Sequence, residues 1–506
     1  MPSEADKRYG LQSKQEYKRF TDDEHDQKGS ASILAITLLI VIVSALVAYH
    51  DKWKTEQIPE PCPQYDDTQT EQCYYTCSIE LVETVPQNLT VSSDRVKSTF
   101  DAWNELISES KNSLDIAAYK SSLRGKHVLG VLTQDFSVEG DLIFEELKHA
   151  GNRNVNIKIV ENAPSKDKGD NEDARSLHKS GVAALRKLNL QRLYNSGTMH
   201  SKFLISDEKS FYLGSANLDW RSLSQKMEMG VLVKDCPCLA KELRHSFEQY
   251  WLAANVESVS GMKKAIKRPS PHIYNMKKPL KIQYDGADSE VYIATSPKLM
   301  NAPERTWDLD ALVATIDNAK TRVHIHVMDY FPMFLYSNNN QFWPVLDNAL
   351  RAAVIRGVDV KIIAAALHFP KRGLRFLKSL ELMNEVGKGK VQIRIFKVPT
   401  PAHMQSVIRR ERRTHKKFVV TDDSVVVGTS NWSGDYFEGY GTGAAIVIKQ
   451  RVGNQPMVDK MRRIFNRDWN SEAAHPLHEY VSGCIDKTAK VDFCEYEKDK
   501  SLLIES

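Results

Sequence analysis

The sequence predicts an α/β fold built twice: two tandem α-β-α sandwich domains forming a pseudo-dimer, preceded by a single transmembrane helix. Three observations carry this expectation. The segment HSKFLISDEKSFYLGSANLDW from His200 returns as HKKFVVTDDSVVVGTSNWSGDYF from His415. Strand-like runs alternate with helical patterns in both halves, the pattern of a sheet covered by helices. Ala31–Tyr49 carries no charged residue over about the 20-residue length that crosses a bilayer as a helix.

With 506 residues, 42% of them apolar and 26% charged, the chain is a globular protein too long for one ordinary domain. A formal charge of +4 says little about partners, so local charge carries that argument. Residues 1–30 read as a cytosolic tail, because Lys7, Arg8, Lys14, Lys18, Arg19 and Lys28 precede the apolar run while only Lys52 and Lys54 closely follow it. Residues 31–49 are the expected anchor. A cleaved signal peptide would have a shorter apolar run nearer the N-terminus, ending in small residues. The remainder is then luminal or extracellular.

Cysteine usage agrees with that side of the membrane, since Cys62, Cys73, Cys77, Cys236, Cys238, Cys484 and Cys494 all follow the span. Their spacing matches no common zinc pattern, and no metal or other cofactor is expected. Cys236 and Cys238 are too close for easy mutual pairing, which sends them to different partners. Asn88-Leu89-Thr90 is a glycosylation sequence. Residues 50–80, rich in Pro, Gln and Asp, read as a luminal stalk. In the tail, Tyr17-Lys18-Arg19-Phe20 fits a tyrosine-based endocytic pattern.

The repeats set the remaining boundaries: domain 1 over 81–258, a Lys-rich linker over 259–283 and domain 2 over 284–506. STFDAWNELISESKNSLDIAAY before the first motif matches RTWDLDALVATIDNAKTRVHIHVMDY before the second. NVNIKIV and GVDVKIIAAA follow in the same order. Each motif contains His-x-Lys-x4-Asp: His200, Lys202, Asp207, and His415, Lys417, Asp422. On a strand, residues i and i+2 face one side, so each His and Lys should project together. Gly214, Ser215, Asn217 and Gly428, Thr429, Asn431 follow, with hydroxyl and amide groups able to donate to phosphate oxygens. RRERRTHKK adds positive charge beside the second motif, and Trp432 and Tyr436 flank Asn431 as candidates to stack on a base.

At these residues the chain resembles the phospholipase D superfamily from about residue 78 to 475. GSANLDWRSL, GTSNWSG and the anchor are similar to its lysosomal, membrane-anchored branch. The resemblance implies that both motifs face one cleft. It further implies 5′ exonuclease activity on single-stranded DNA or RNA, or lipid hydrolysis and transphosphatidylation on a phospholipid. A non-catalytic anchored binding protein is the third reading, and two complete motifs speak against it. An imidazole suits both nucleophilic and acid–base roles, since its unperturbed pKa of about 6.5 allows either protonation state. One histidine attacks phosphorus and the other protonates the leaving oxygen. The resemblance favours His200 as nucleophile, with Lys202, Lys417, Asn217 and Asn431 meeting the phosphate oxygens. It makes Asp207 and Asp422 structural within the catalytic motifs and assigns histidine orientation to a later carboxylate: Glu228 in the first half, Glu438 in the second. Asp422 and Asp435 depart from the Glu and Asn of mammalian relatives. The implied location is endoplasmic reticulum, Golgi and endosome or lysosome, as a type II membrane protein, with a homodimer as a further expectation.

Overall fold

The computed structural model describes residues 42–44, 67–91, 94–130, 136–165, 169–261, 274–302, 304–336, 341–365, 370–400, 408, 411–478, 485–486 and 491–492. Among these, no helix is long and apolar enough to cross a membrane. Apart from helical residues 42–44, the expected anchor lies outside the described residues, as do the cytosolic tail, Cys62, Cys484 and Cys494.

Residues Tyr65–Ser506 form one compact unit. Its first sheet contains β1 (Ser78–Thr84), β2 (Ser113–Ala118), β3 (Asn156–Asn162), β4 (Ala183–Leu188), β5 (Phe203–Ser206), β6 (Ser210–Gly214) and β7 (Glu228–Lys234). With the short edge strand Lys97–Ser98 they run in the order edge-β1-β7-β6-β5-β2-β3-β4. The second sheet contains β8 (Leu280–Tyr284), β9 (Ala287–Ser296), β10 (Arg322–Val327), β11 (Asp359–Ala365), β12 (Val391–Phe396), β13 (Lys417–Val420), β14 (Ser424–Gly428), β15 (Gly443–Gln450) and β16 (Ala474–Pro476). Its order is β8-β9-β15-β14-β13-β10-β11-β12-β16. From β1 and β9 onward the two orders coincide, so the duplication read in the motifs extends through both sheets. In each, a parallel block (β2-β3-β4, β10-β11-β12) joins antiparallel hairpins that carry the motifs.

Helices α1 (Asp67–Thr76), α2 (Thr99–Glu109), α3 (Val138–Asn152), α4 (Glu172–Lys179), α5 (Pro237–Ala253), α6 (Asp308–Asn318), α7 (Val345–Arg356), α8 (Pro370–Glu381) and α9 (Pro456–Trp469) cover the sheets. Two outer cores lie in one half each: Trp103, Leu106, Ile143 and Leu147 pack on Ile116 and Ile159, and Leu312, Leu350 and Leu377 on Ile325 and Ile362. The central core belongs to both halves. Leu243 and Phe247 of α5 and Met461 and Phe465 of α9 join Phe203, Leu213 and Val231 of the first sheet to Ile293, Val427 and Ile446 of the second. Apolar burial on both faces explains why these strands read as nearly continuous Val/Ile/Leu runs.

Two expectations are corrected. The stretch read as stalk contributes α1 and the start of β1, and its cysteines bridge to the segment after β7, Cys73 to Cys238 and Cys77 to Cys236. The end of the expected linker, from Leu280, is already β8, hydrogen-bonded to β9. Composition concealed both, because polar edge elements lack a two-sided apolar pattern.

A buried ion network also joins the halves. Lys416 lies 2.7 Å from Asp468 and 3.1 Å from Glu83, and Arg467 pairs with both carboxylates. His326 adds Nδ1 at 3.3 Å from Asp468 and Nε2 at 2.6 Å from the Thr414 hydroxyl. Burial opposes ionisation of both acids, but the Lys416 charge and Arg467 hold Glu83 and Asp468 below the usual carboxylate range. Such depressed carboxylates stabilise the fold above their unfolded pKa and lose that contribution only as pH falls through the folded value, so the network persists in mild acid. Lys416→Met leaves two buried carboxylates to share the Arg467 charge alone and is expected to destabilise the protein by about 3–5 kcal/mol in equilibrium denaturation. A cost below about 1 kcal/mol would show that the network contributes nothing net.

Candidate active site

Strand-like pairing across the repeat boundary builds the site. The segment ahead of the second motif runs alongside the one ahead of β7: Met227 N–H donates to the Arg413 carbonyl at 3.0 Å, and His415 N–H donates to the Met227 carbonyl at 2.8 Å. The first motif is tied in the reciprocal way. Thr442 N–H donates to the Thr198 carbonyl at 2.9 Å, and the Thr442 hydroxyl accepts from His200 N–H at 2.9 Å and Ser201 N–H at 3.1 Å. Each histidine backbone is therefore pinned by the opposite half. Both side chains line one cavity of about 300 Å³.

His200, Asn217, His415, Asn431 and Tyr436 meet there, with Tyr119, Lys120, Lys226, Tyr336, Arg413 and Asp435. The His200 ring is 5.2 Å from the Tyr119 ring and 4.7 Å from that of Tyr436. Each histidine precedes its strand, which starts at Phe203 or Lys417, yet side chains still alternate. Ser201 turns away to the Tyr250 hydroxyl at 3.0 Å, as Lys416 turns into the ion network. Lys202 Nζ donates to the His200 carbonyl at 2.5 Å, and Lys417 Nζ to the His415 carbonyl at 2.8 Å. These ammonium groups are buried next to the histidines' own backbone.

His415 Nδ1 lies 2.7 Å from Glu228 Oε2, which leaves Nε2 for the cavity. The orienting carboxylate thus serves the histidine of the other repeat. Glu228 also accepts from the Ser215 hydroxyl at 2.5 Å, and Ser215 Oγ accepts from Met229 N–H at 3.0 Å. Burial pushes Glu228 up to about 7. Burial, then the charges of Lys417, Lys226 and Lys202, hold His415 well below its ordinary value. Burial and mutual repulsion likewise lower Lys202, and burial takes Lys417 down to about 8. Burial is the common cause; like charge adds to it for His415 and Lys202, and an anionic ligand relieves that repulsion.

Asp207 accepts from the backbone N–H groups of Lys111, Asn112 and Ser113, and Asp422 from those of Lys320 and Thr321, so both fasten the turn before a central strand, the structural role the resemblance implies. Several other assignments are corrected. Ser215 is occupied by Glu228. Thr429 Oγ1 accepts from Ala444 N–H at 3.0 Å, and Trp432 is buried against Tyr330. Glu438 is exposed at the end of the short helix Gly434–Phe437 and orients no histidine. The repeat position matching Glu228 is Gly443, since β1 pairs Thr84 with Glu228 as β9 pairs Ser296 with Gly443. A Cβ at Gly443 would sit 2.2 Å from Ser430 Oγ and 2.7 Å from Asp308 Oδ2, so Asp308 occupies the space a second glutamate would need. Asp308 accepts from Ser430 at 3.0 Å, and burial raises it to about 6.

Sequence reasoning missed Tyr119, Lys120 and Lys226. Tyr119 and Lys120 directly follow β2, and in α/β sheets ligands gather at the carboxyl ends of strands. That rule could have found them. Nothing in the pattern marked Lys226.

The described family "PLD3/4, PLD-like domain" matches residues 92–401. A probable phospholipase D of Caenorhabditis elegans is 36% identical over 416 residues, 80% of this chain and 72% of its own. The 5'-3' exonuclease PLD3 of Rattus norvegicus is 35% identical over 80% of this chain and 82% of its own. In fold, the chain is similar to a phosphatidylserine synthase of Haemophilus influenzae, with TM-score 0.54, 12% identity, and 81% and 89% of the two chains covered.

The raised Glu228 gives the His415 pair one extra proton below about pH 7, lost as pH rises through that value. In a pH–rate profile on bis(p-nitrophenyl) phosphate, kcat is expected to fall above about pH 7, provided that proton is the one donated. Glu228→Gln should lower kcat by roughly 100-fold and abolish that limb. Glu438→Gln should stay within about twofold of the parent, as an exposed surface change. An unaltered limb in Glu228→Gln would overturn the assignment.

Proposed function

The chain belongs to the PLD3/4 branch of the phospholipase D superfamily and is a hydrolytic phosphodiesterase, and we propose that it is a 5′ exonuclease on single-stranded nucleic acid. One observation carries the substrate class: the cavity holding both histidines is lined by Lys120, Lys226 and Arg413 together with the rings of Tyr119, Tyr336 and Tyr436. Fixed cations attract a polyanion, and aromatic faces stack on bases without regard to sequence. The relatives named as 5'-3' exonucleases support the same reading.

In the proposed reaction His200 attacks phosphorus, forming an N–P bond as the bond to the 5′ oxygen of the departing strand breaks. His415, protonated and steadied by Glu228, gives its proton to that oxygen. Water then attacks the phosphohistidine, His415 takes the water's proton, the P–N bond breaks, and a 3′-phosphorylated nucleotide leaves. Asn217 and Asn431 face the cavity and donate amide hydrogens to the phosphate oxygens. The buried Lys202 and Lys417 supply positive potential from behind the histidines.

The test uses 5′-hydroxyl single-stranded DNA and labelled phosphatidylcholine or phosphatidylglycerol, from pH 4.5 to 7.5 in EDTA. Nucleotide release is expected to survive EDTA and to fall at least roughly 1,000-fold in His200→Ala and in His415→Ala. Turnover of lipid alone would establish the lipid reading instead, and loss in EDTA would remove the metal-independent mechanism. Trapping radiolabelled phosphate on His415 in a His200 variant, and none on His200 in a His415 variant, would exchange the two roles.

We also propose that residues 31–49 anchor the chain with residues 50–506 luminal, en route through endoplasmic reticulum and Golgi to endosome or lysosome, and that exposed Asn88 is glycosylated. The two disulfides support an oxidising compartment. Protease added to intact microsomes is expected to remove only an N-terminal epitope; digestion of the catalytic region would reverse the orientation.

A further inference from the structure

The cavity contains more positive charge than the two motifs bring to it. Beside Lys120 and Lys226 lies a buried group of Arg221, Asp170, Asp219 and Glu411. Its three carboxylates converge on one guanidinium. Asp219 accepts from Arg221 Nε at 2.9 and 2.8 Å, Asp170 from one terminal nitrogen at 3.3 Å and Glu411 from the other at 3.5 Å. Lys120 borders the same acids, 3.5 Å from Asp170 and 3.9 Å from Asp219. Lys226 stands apart: it is 6% exposed and lines the cavity, and among the described residues its ammonium has no hydrogen-bond or ion-pair partner. Nearby Glu228 gives Oε2 to both His415 and Ser215.

Lys226 is also fixed in place. It immediately precedes Met227, which pairs with Thr414 in the contact that positions His415. Burial and the Lys120 charge disfavour this ammonium, Asp219 and Glu411 offset them without touching it, and the open side of the cavity is where a direct partner can enter. The catalytic phosphate is already provided for by the two histidines, Asn217 and Asn431.

We propose that Lys226, with Lys120 and Arg413, forms a second anion subsite that receives the phosphate next to the scissile one. The preferred substrate then carries two phosphates one nucleoside apart, as an oligonucleotide does. A phosphatidylcholine presents a trimethylammonium to the same cations and is disfavoured by charge. This inference rests on the phosphodiesterase reading above and specifies the substrate that reading leaves open.

The experiment compares dTpdT, with one phosphate, against 5′-phosphorylated pdTpdT and against dTpdTpdT, each with two. At least one two-phosphate substrate is expected to have the higher kcat/KM, and which one does so identifies the side of the scissile bond served. Lys226→Gln should cost roughly tenfold more on that substrate than on dTpdT, mainly through KM, and Lys226→Arg should recover most of the loss. The melting temperature of Lys226→Gln should change little, since the ammonium removed is buried without a direct partner; a large drop would make Lys226 a structural residue and overturn the proposal. Equal penalties on all three substrates, or no advantage from a second phosphate, would also overturn it. If the parent protein cleaves none of the three, the nuclease reading fails by itself. The subsite is then judged by calorimetry with pyrophosphate, which must bind the parent roughly tenfold more tightly than Lys226→Gln.

Discussion

Two imidazoles can act on opposite sides of one phosphorus only if both are held in a single dry space, and neither repeat can do that alone. The cross-repeat hydrogen bonds at Met227 and Thr442 meet this requirement. They lie on the histidine backbones themselves, so the spacing between halves and the placement of the rings are one structural fact. The shared core of α5 and α9 supplies non-directional cohesion, and the Lys416–Glu83–Asp468–Arg467 network adds a directional constraint in the same place. Buried ion pairs seldom add much net stability, but they strongly penalise a misregistered interface.

Duplication has not left the two halves equivalent. Glu228 reaches across to His415, whereas its counterpart is Gly443, whose missing side chain makes room for the buried Asp308. One histidine therefore has a carboxylate that fixes its tautomer and can stabilise its charged form. The other sits between the rings of Tyr119 and Tyr436. This difference in surroundings suits a division of labour between proton transfer and attack, and it separates two residues that the motifs alone make identical.

The sheets and motif histidines were legible because they depend on local pattern: two-sided apolar strands, a repeated His-x-Lys and a repeated Gly-Ser/Thr-x-Asn. The roles of the polar residues were harder to read, for a definite reason. Asp207 and Asp422 recur as faithfully as the histidines, yet they recur because each closes the turn before a central strand. Ser215 and Thr429 lie beside the site but spend their hydroxyls on Glu228 and on Ala444. Repetition reports shared constraint, whether catalytic or structural. Glu438, the later carboxylate expected to match Glu228 in the second half, lies exposed at the end of a short helix. The Glu228 pairing with His415 depends on contact between segments 187 residues apart, which no local pattern encodes.

Charge ties these elements together. Lys202, Lys417, Lys226, Lys120 and Arg413 surround a pair of histidines, and burial first, then this crowding of like charge, depresses Lys202, Lys226 and His415. A phosphodiester entering this space brings the missing negative charge, so the cations become easier to keep protonated at the moment the reaction needs them. The same entry raises the proton affinity of His415, making it a better partner for a departing alkoxide than it is in the empty cavity. Substrate binding and activation of the acid are then one electrostatic event. A neutral or zwitterionic ligand of the same size would fill the cavity without producing it.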